Sequence, residues 1–326
     1  FANGKTGLSG AYSNPYAIVN LDRLESLENP IQFEFNVPKG HLPTVIVEQR
    51  ALVSELIRLT EIRSQNQNIF PIHPSSSYKL PVRVGGILST NASGLMSGGL
   101  GASKMWVDEL EVMTPDGNVE KTRPGELLFE RVIGGLGYYG GILTAKFRLP
   151  FTLRDPAFNV VFGYSLDDLG EALQIAQDQQ VFPLVSEFVY CVEGLYGKFK
   201  QYTDFVSEKS GKTIRWAVLL KGKRQTVNKF QSILSSHSKC HPRTLDELEF
   251  KELIEERSVI AIQSLPGDND KEYVRYPGFE DTLVQPEKTR EVVSEMNRVL
   301  TSRGYPKIIV VYGHVNFQKG KGVLIH

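Results

Sequence analysis

Short apolar runs separated by turn residues dominate the first half of the chain. The runs at residues 17–21, 44–48, 82–88, 109–117 and 140–149 predict strands, and Asp116-Gly117 predicts a hairpin turn. Residues 48–65 have a different period, because apolar side chains recur at helical spacing. These side chains are Leu52, Val53, Leu56, Ile57 and Leu59. The pattern predicts a sheet with one amphipathic helix packed on it.

After Pro150 the strands alternate with longer helical patterns. Apolar runs at residues 159–164, 213–222 and 307–315 predict strands, and helical patterns cover 165–180, 226–236 and 286–304. Ser165 is a candidate N-cap and Gly304 a candidate stop signal. The change of pattern predicts two domains, residues 1–150 and residues 151–326, the second of α+β type.

Composition narrows the functional classes. Lysine plus arginine and aspartate plus glutamate both number 37, so no net charge favours nucleic acid or an acidic membrane. The chain of 326 residues has two cysteines, Cys191 and Cys240. So low a number favours reduced thiols over a disulfide. No apolar run approaches the roughly 20 residues of a membrane span. We therefore expect a cytoplasmic protein without a transmembrane segment, and peripheral membrane association stays open.

Three glycine-rich clusters carry the candidate chemistry. Residues 4–10 read GKTGLSG, and further clusters occupy residues 70–95 and 132–149. Glycines allow positive φ and can point successive N–H groups at a phosphate. The first cluster lacks P-loop spacing, and no dinucleotide fingerprint for a nicotinamide cofactor is present. Small residues in three clusters would leave room for a large, flat ligand.

The order of these clusters resembles the FAD-linked oxidases with a vanillyl-alcohol-oxidase (PCMH-type) flavin domain, near the D-lactate and glycolate dehydrogenase group. The stretch NGKTGLSGA is similar to the family's diphosphate loop, and FPIHPSS, the Gly85-Gly86 pair, TNASG and Leu100-Gly101 follow in the family's order. GGLGYYGGILT resembles the third motif. FEDTLVQPEKT and YGHV resemble two segments of the second half.

The resemblance implies an α+β fold with two parts. These are a PCMH-type FAD-binding domain, N-terminally incomplete because its first βα unit is missing, and an α+β cap domain with an antiparallel sheet. FAD would be bound non-covalently. The implied cofactor-binding residues are Gly4, Lys5, Thr6, Gly7, Leu8, Ser9, Gly10, Pro74, Ser75, Gly85, Gly86, Thr90, Asn91, Ser93, Gly94, Gly101, Gly134, Gly137, Gly140 and Ile142.

The implied activity is that of an FAD-dependent dehydrogenase acting on CH–OH donors. A small 2-hydroxy acid such as D-lactate or glycolate would pass a hydride to flavin N5, while His314 takes the hydroxyl proton. Arg257 is the candidate for binding the substrate carboxylate. The electron acceptor stays unidentified. A sugar or lactone oxidase of the same fold, and a flavin-binding protein without turnover, are the alternatives.

The last motif departs from the family. Relatives acting on 2-hydroxy acids use two histidines of a GHxGDGNxH segment to hold a divalent metal. Here His314 is followed by VNFQKGKGVLIH, so the Asp-Gly-Asn part is missing and the next histidine is His326. A single active-site histidine is favoured, and a metal such as zinc or manganese on His314 is the alternative.

Overall fold

The computed structural model describes residues 30–78, 80–195, 197–237, 239–263, 282–304, 310–315 and 323–325. Within these ranges the chain forms two compact units. The first contains residues 30–94 and 102–152, and the second contains residues 95–101 and the described residues from 153 onward. The predicted strand at 17–21 lies outside the described residues.

Twelve strands and nine helices are found in the described ranges. The strands are β1 (Ile31–Glu34), β2 (Thr44–Glu48), β3 (Val107–Met113), β4 (Val119–Thr122), β5 (Gly141–Arg148), β6 (Pro156–Gly163), β7 (Val185–Cys191), β8 (Trp216–Lys223), β9 (Cys240–Leu245), β10 (Thr282–Val284), β11 (Val310–Val315) and β12 (Val323–Ile325). The helices are α1 (Val53–Arg63), α2 (Val84–Ser89), α3 (Ser97–Leu100), α4 (Leu127–Val132), α5 (Leu166–Asp178), α6 (Lys200–Ser210), α7 (Arg224–His237), α8 (Glu247–Gln263) and α9 (Thr289–Ser302).

The first unit is built on a five-stranded antiparallel sheet in the order β1-β2-β5-β3-β4. The predicted strands at 44–48 and 140–149 are confirmed as β2 and β5, and the predicted hairpin as β3-β4. Gly117 of its turn has a φ of 87°, a conformation that favours glycine. The amphipathic helix α1 is also confirmed, and its buried Val53 and Leu56 join the core of the unit.

The strand predicted at residues 82–88 is wrong. The segment forms helix α2, whose buried Val84, Ile87 and Leu88 have helical spacing. Gly85 allows close packing, since its N–H donates to the carbonyl of Gln49 at 2.7 Å and an added Cβ would lie 3.1 Å from the Cβ of Gln49. A short apolar run is compatible with the period of a strand and with that of a helix. Here the buried side chains follow the helical period.

The second unit contains a seven-stranded antiparallel sheet in the order β10-β12-β11-β7-β8-β6-β9. Helices α5 and α7 share one core cluster with Trp216 and Val218 of β8, Phe188 of β7 and Val311 of β11. Helix α8 contacts β6, β8 and β9, and its Phe250 packs on Phe158. Because helices cover the central strands, these read as nearly continuous apolar runs.

The predicted helix ends of the second unit are confirmed. The Ser165 hydroxyl accepts a hydrogen bond of 3.2 Å from the Asp167 N–H and caps α5. Helix α9 follows a 3₁₀ turn that begins with Pro286, and Gly304 lies just beyond its end with a φ of 78°. Among the described residues, no helix is both long and apolar enough to cross a membrane.

Candidate active site

Two polar residues face each other in the middle of the second sheet. Glu187 of β7 and His314 of β11 are direct partners in the antiparallel register. On the same two strands, Phe188 of β7 and Val311 of β11 belong to the core that α5 and α7 cover. Since side chains alternate between the faces of a strand, Glu187, Tyr312 and His314 share the other face. The fold therefore places a carboxylate beside an imidazole on one buried face of the sheet.

Arg257 of α8 completes this cluster. The Nδ1 atom of His314 forms a hydrogen bond with Oε1 of Glu187, and Nη2 of Arg257 lies 2.7 Å from Oε2 of the same carboxylate. The guanidinium carbon of Arg257 is 4.8 Å from the centroid of the Tyr312 ring, a cation–π distance. Relative exposure is 0% for Glu187, 1% for Arg257 and 4% for His314. Burial makes these charges interdependent, because an unpaired charge would be costly there.

The arrangement suits proton transfer. A carboxylate only accepts hydrogen bonds, so in a neutral imidazole Nδ1 carries the proton and donates it to Glu187. The Nε2 atom of His314 is then left with its lone pair. An imidazole held in this tautomer by a carboxylate can accept a proton at Nε2.

The two catalytic residues predicted from sequence thus lie together, and one partner was missed. His314 and Arg257 both contact Glu187. The signal for Glu187 was available, since it is the single charged residue in the apolar strand VSEFVYC. Arg257 forms an ion pair with Glu187. A substrate carboxylate would therefore have to compete with Glu187 for the guanidinium.

The predicted metal alternative finds no support. Among the described residues, no group of three or more histidine, cysteine, aspartate or glutamate side chains could hold a metal ion. Nδ1 of His314 is engaged by Glu187. His326 lies outside the described residues.

The predicted cofactor-binding residues of the second and third clusters converge in the first unit. An added Cβ on Gly94 would lie 2.7 Å from backbone atoms of His73, so the TNASG segment lies directly on the residue before Pro74. The N–H of Gly134 donates to the carbonyl of Leu88 at 3.0 Å, which brings the third cluster to the end of α2. The first cluster, Gly4–Gly10, lies outside the described residues.

These residues divide into a buried and an accessible set. Gly85, Gly94, Gly140 and Ile142 are buried, and Ile142 belongs to the core. An added Cβ on Gly140 would meet Val112 at 2.6 Å, so packing of the chain itself requires this glycine. The accessible set is exposed or half-buried and consists of Pro74, Ser75, Gly86, Thr90, Asn91, Ser93, Gly134 and Gly137.

The glycine-rich stretch after TNASG reaches the second sheet. Helix α3 belongs to the second unit and contacts β7 and β11, the strands that carry Glu187 and His314. The hydroxyl of Ser97 in α3 is buried and has no hydrogen-bond partner among the described residues. A buried hydroxyl without a partner is costly. The residues therefore fit a polar ligand such as a flavin, which would satisfy this group.

Comparison with known proteins supports a flavin as the cofactor. Residues 54–123 match the family of the FAD binding domain, a range that includes α1, the 70–95 cluster and the β3-β4 hairpin. The chain carries an FAD binding domain with the fold of FAD-linked oxidases. The match supports FAD as the cofactor, and the α+β fold with antiparallel sheets is as predicted. No curated protein matches the sequence.

Two crystal forms of alkyldihydroxyacetonephosphate synthase are among the similar solved structures. Their TM-scores are 0.64 and 0.62, each at 16% sequence identity. The match covers 86% of this chain and 56% or 54% of theirs, so the chain spans little more than half the length of these proteins. At this identity the likeness supports the fold. The closer relation to D-lactate and glycolate dehydrogenases is not confirmed.

Proposed function

We propose that this FAD-binding protein oxidises the CH–OH group of a small 2-hydroxy acid, with His314 as the base. The observation that carries the proposal is the buried His314–Glu187 pair on two strands that also contact the glycine-rich segment 95–101. A proton acceptor and the segment that contains Gly101, one of the predicted flavin-binding residues, thus belong to one compact unit.

The chain's own residues would bind FAD, accept the hydroxyl proton and bind the substrate carboxylate. FAD, when bound, supplies the hydride acceptor. Residues 1–150 would hold FAD through the accessible set and the Gly4–Gly10 loop, and residues 151–326 would form the substrate domain. His314 would accept the hydroxyl proton at Nε2, because Nδ1 is committed to Glu187. Arg257 stays a candidate for the substrate carboxylate, on condition that the substrate displaces part of its contact with Glu187.

The test is anaerobic reduction of the bound flavin by D-lactate and glycolate, followed by absorbance. The variant His314→Ala should keep its flavin spectrum and be reduced at least about a hundredfold more slowly, the usual scale for losing a positioned base. His241→Ala is a matched control, because His241 lies on β9, separated from β11 by three strands in the sheet order. Equal reduction rates in wild type and His314→Ala would remove His314 from the chemistry.

The name of the similar structures and one sequence feature favour a second candidate, an FAD-linked synthase that forms an alkyldihydroxyacetonephosphate. The YGHV segment lacks the second histidine and the Asp-Gly-Asn of the 2-hydroxy-acid type, and the fold is shared with alkyldihydroxyacetonephosphate synthase. An assay for alkyldihydroxyacetonephosphate formation in the same preparations separates the two. Product without flavin reduction by any 2-hydroxy acid would favour the synthase.

A further inference from the structure

We propose that Glu187 is a positioning residue that fixes the tautomer of His314, and that Arg257 orients Glu187 for this task. The inference rests on the proposed role of His314 as a base. The claim about the tautomer itself concerns only the protein's own side chains.

The two oxygens of the Glu187 carboxylate face different groups, with a hydrogen bond at Oε1 and an ion pair at Oε2. Oε1 accepts from Nδ1 of His314, and Oε2 lies 2.7 Å from Nη2 of Arg257. Both partners are donors, since a guanidinium has no acceptor and an imidazole nitrogen facing a carboxylate must carry its proton. The carboxylate therefore holds the proton of the neutral imidazole on Nδ1 and leaves Nε2 as the acceptor.

Three secondary-structure elements hold the arrangement in place. Glu187 and His314 are opposite each other in the β7–β11 ladder. Arg257 approaches from α8 and also lies over the ring of Tyr312, two residues before His314 on the same face of β11. With Glu187 fully buried, bulk water does not compete for the carboxylate. The Glu187–His314 hydrogen bond is thus pre-organised by the fold.

Arg257 makes the substitution Glu187→Gln unusually informative. The glutamine side chain has nearly the same shape, but one oxygen becomes an NH₂ group that only donates. The guanidinium only donates, so the carbonyl oxygen of the glutamine will face Arg257 and the NH₂ group will face His314. Nδ1 must then accept, which moves the imidazole proton to Nε2. The variant keeps the side-chain volume and reverses the tautomer.

The experiment is ¹⁵N NMR of the histidine side chains in the full chain, at a pH above which the His314 signals no longer change, so that the imidazole is neutral. Comparison with His314→Gln assigns the His314 signals. The expected result is the Nδ1–H pattern in wild type and the Nε2–H pattern in Glu187→Gln. An Nε2–H pattern in wild type, or an unchanged Nδ1–H pattern in Glu187→Gln, would overturn the proposal.

A second variant covers the case in which Glu187→Gln does not fold. Glu187→Leu combined with Arg257→Met replaces the buried ions with apolar side chains, an exchange that is often tolerated. Without an acceptor at Nδ1, the Nδ1–H signal of His314 should be lost. A persistent Nδ1–H signal would show that Glu187 does not set the tautomer.

Activity provides an independent readout. With D-lactate or glycolate, whichever reduces the wild-type flavin, Glu187→Gln should lower kcat by about 10²- to 10⁴-fold with little change in KM. A purely structural role would leave kcat intact in the folded variant, and that outcome would contradict the proposal. If neither acid reduces the wild-type flavin, the proposed function fails, while the NMR comparison still decides the role of Glu187.

Discussion

Glycines in the predicted flavin clusters act at the residue scale in two ways. Gly134 and Gly137 adopt positive φ values of 81° and 82°, which directs the backbone through conformations that other residues rarely adopt. Gly94 instead permits contact, because its missing side chain lets the backbone of His73 approach. A glycine motif in sequence does not separate these two uses, and only the second leads to a simple steric prediction.

The substitution Gly94→Ala should destabilise the first unit. Its new Cβ would lie 2.7 Å from backbone atoms of His73, and backbone cannot move aside as a flexible side chain can. Overpacking of this kind costs about 1–3 kcal/mol, measured as the free energy of unfolding in urea. The neighbouring Ser93→Ala is the control, with a change within about 0.5 kcal/mol. Equal stability of Gly94→Ala and wild type would contradict the packing.

At the scale of elements, the β3-β4 hairpin is supported by an ion pair across its strands. The Arg123 guanidinium donates to Oε2 of Glu109 at 2.6 Å, and Lys121 lies 3.5 Å from Oε1. The hydrogen bond from Arg123 is the main cause that lowers the pKa of Glu109 below its ordinary value of 4.5, with the charge of Lys121 acting in the same direction. Stability from this contact is therefore present above pH 4.5 and lost as the pH falls below it.

The substitution Arg123→Gln should lower the free energy of unfolding at neutral pH and have little effect in acid. Glu109 becomes protonated as the pH falls from 4.5 through its lowered pKa, so wild type loses the same contact that the variant lacks. Urea unfolding at a series of pH values measures the difference. Arg154→Gln, which removes a charge from an exposed position, should show no such convergence. A constant difference between wild type and Arg123→Gln across the acid range would refute the linkage.

At the scale of the whole molecule, the chain combines two compact units with separate cores. Of the predicted flavin-binding residues, those from Pro74 to Gly94 and from Gly134 to Ile142 belong to the first unit, and Gly101 belongs to the second. A ligand that binds the folded protein stabilises it by mass action. Stability measured with FAD therefore reports on the assignment of these segments.

FAD should raise the melting temperature of the wild-type protein. At about 100 times its Kd, a ligand adds about 2.7 kcal/mol to the free energy of unfolding. The variant Gly7→Val should show no shift, since a β-branched side chain would disturb the predicted diphosphate loop. NAD is the control ligand and should leave both proteins unchanged. A full FAD shift in Gly7→Val would mean that this loop does not hold the diphosphate.

Sequence alone determined the elements with an unambiguous period or a clear end signal. Helix α1, the β3-β4 hairpin, the Ser165 cap and the stop at Gly304 depend on residues close together in the chain, so local pattern was sufficient. His314 and Arg257 could also be named as candidates, because their motifs resemble those of a known family.

Tertiary structure decided what those candidates touch. Helix α2 forms where a strand was predicted, because a short apolar run allows both periods and the core of the first unit buries Val84, Ile87 and Leu88 at helical spacing. Glu187 is 127 residues from His314 in sequence and becomes its partner only through the register of β7 and β11. A charged residue in an apolar strand signals a buried partner, but only the sheet order identifies that partner, because pairing between distant strands leaves no local pattern in the chain.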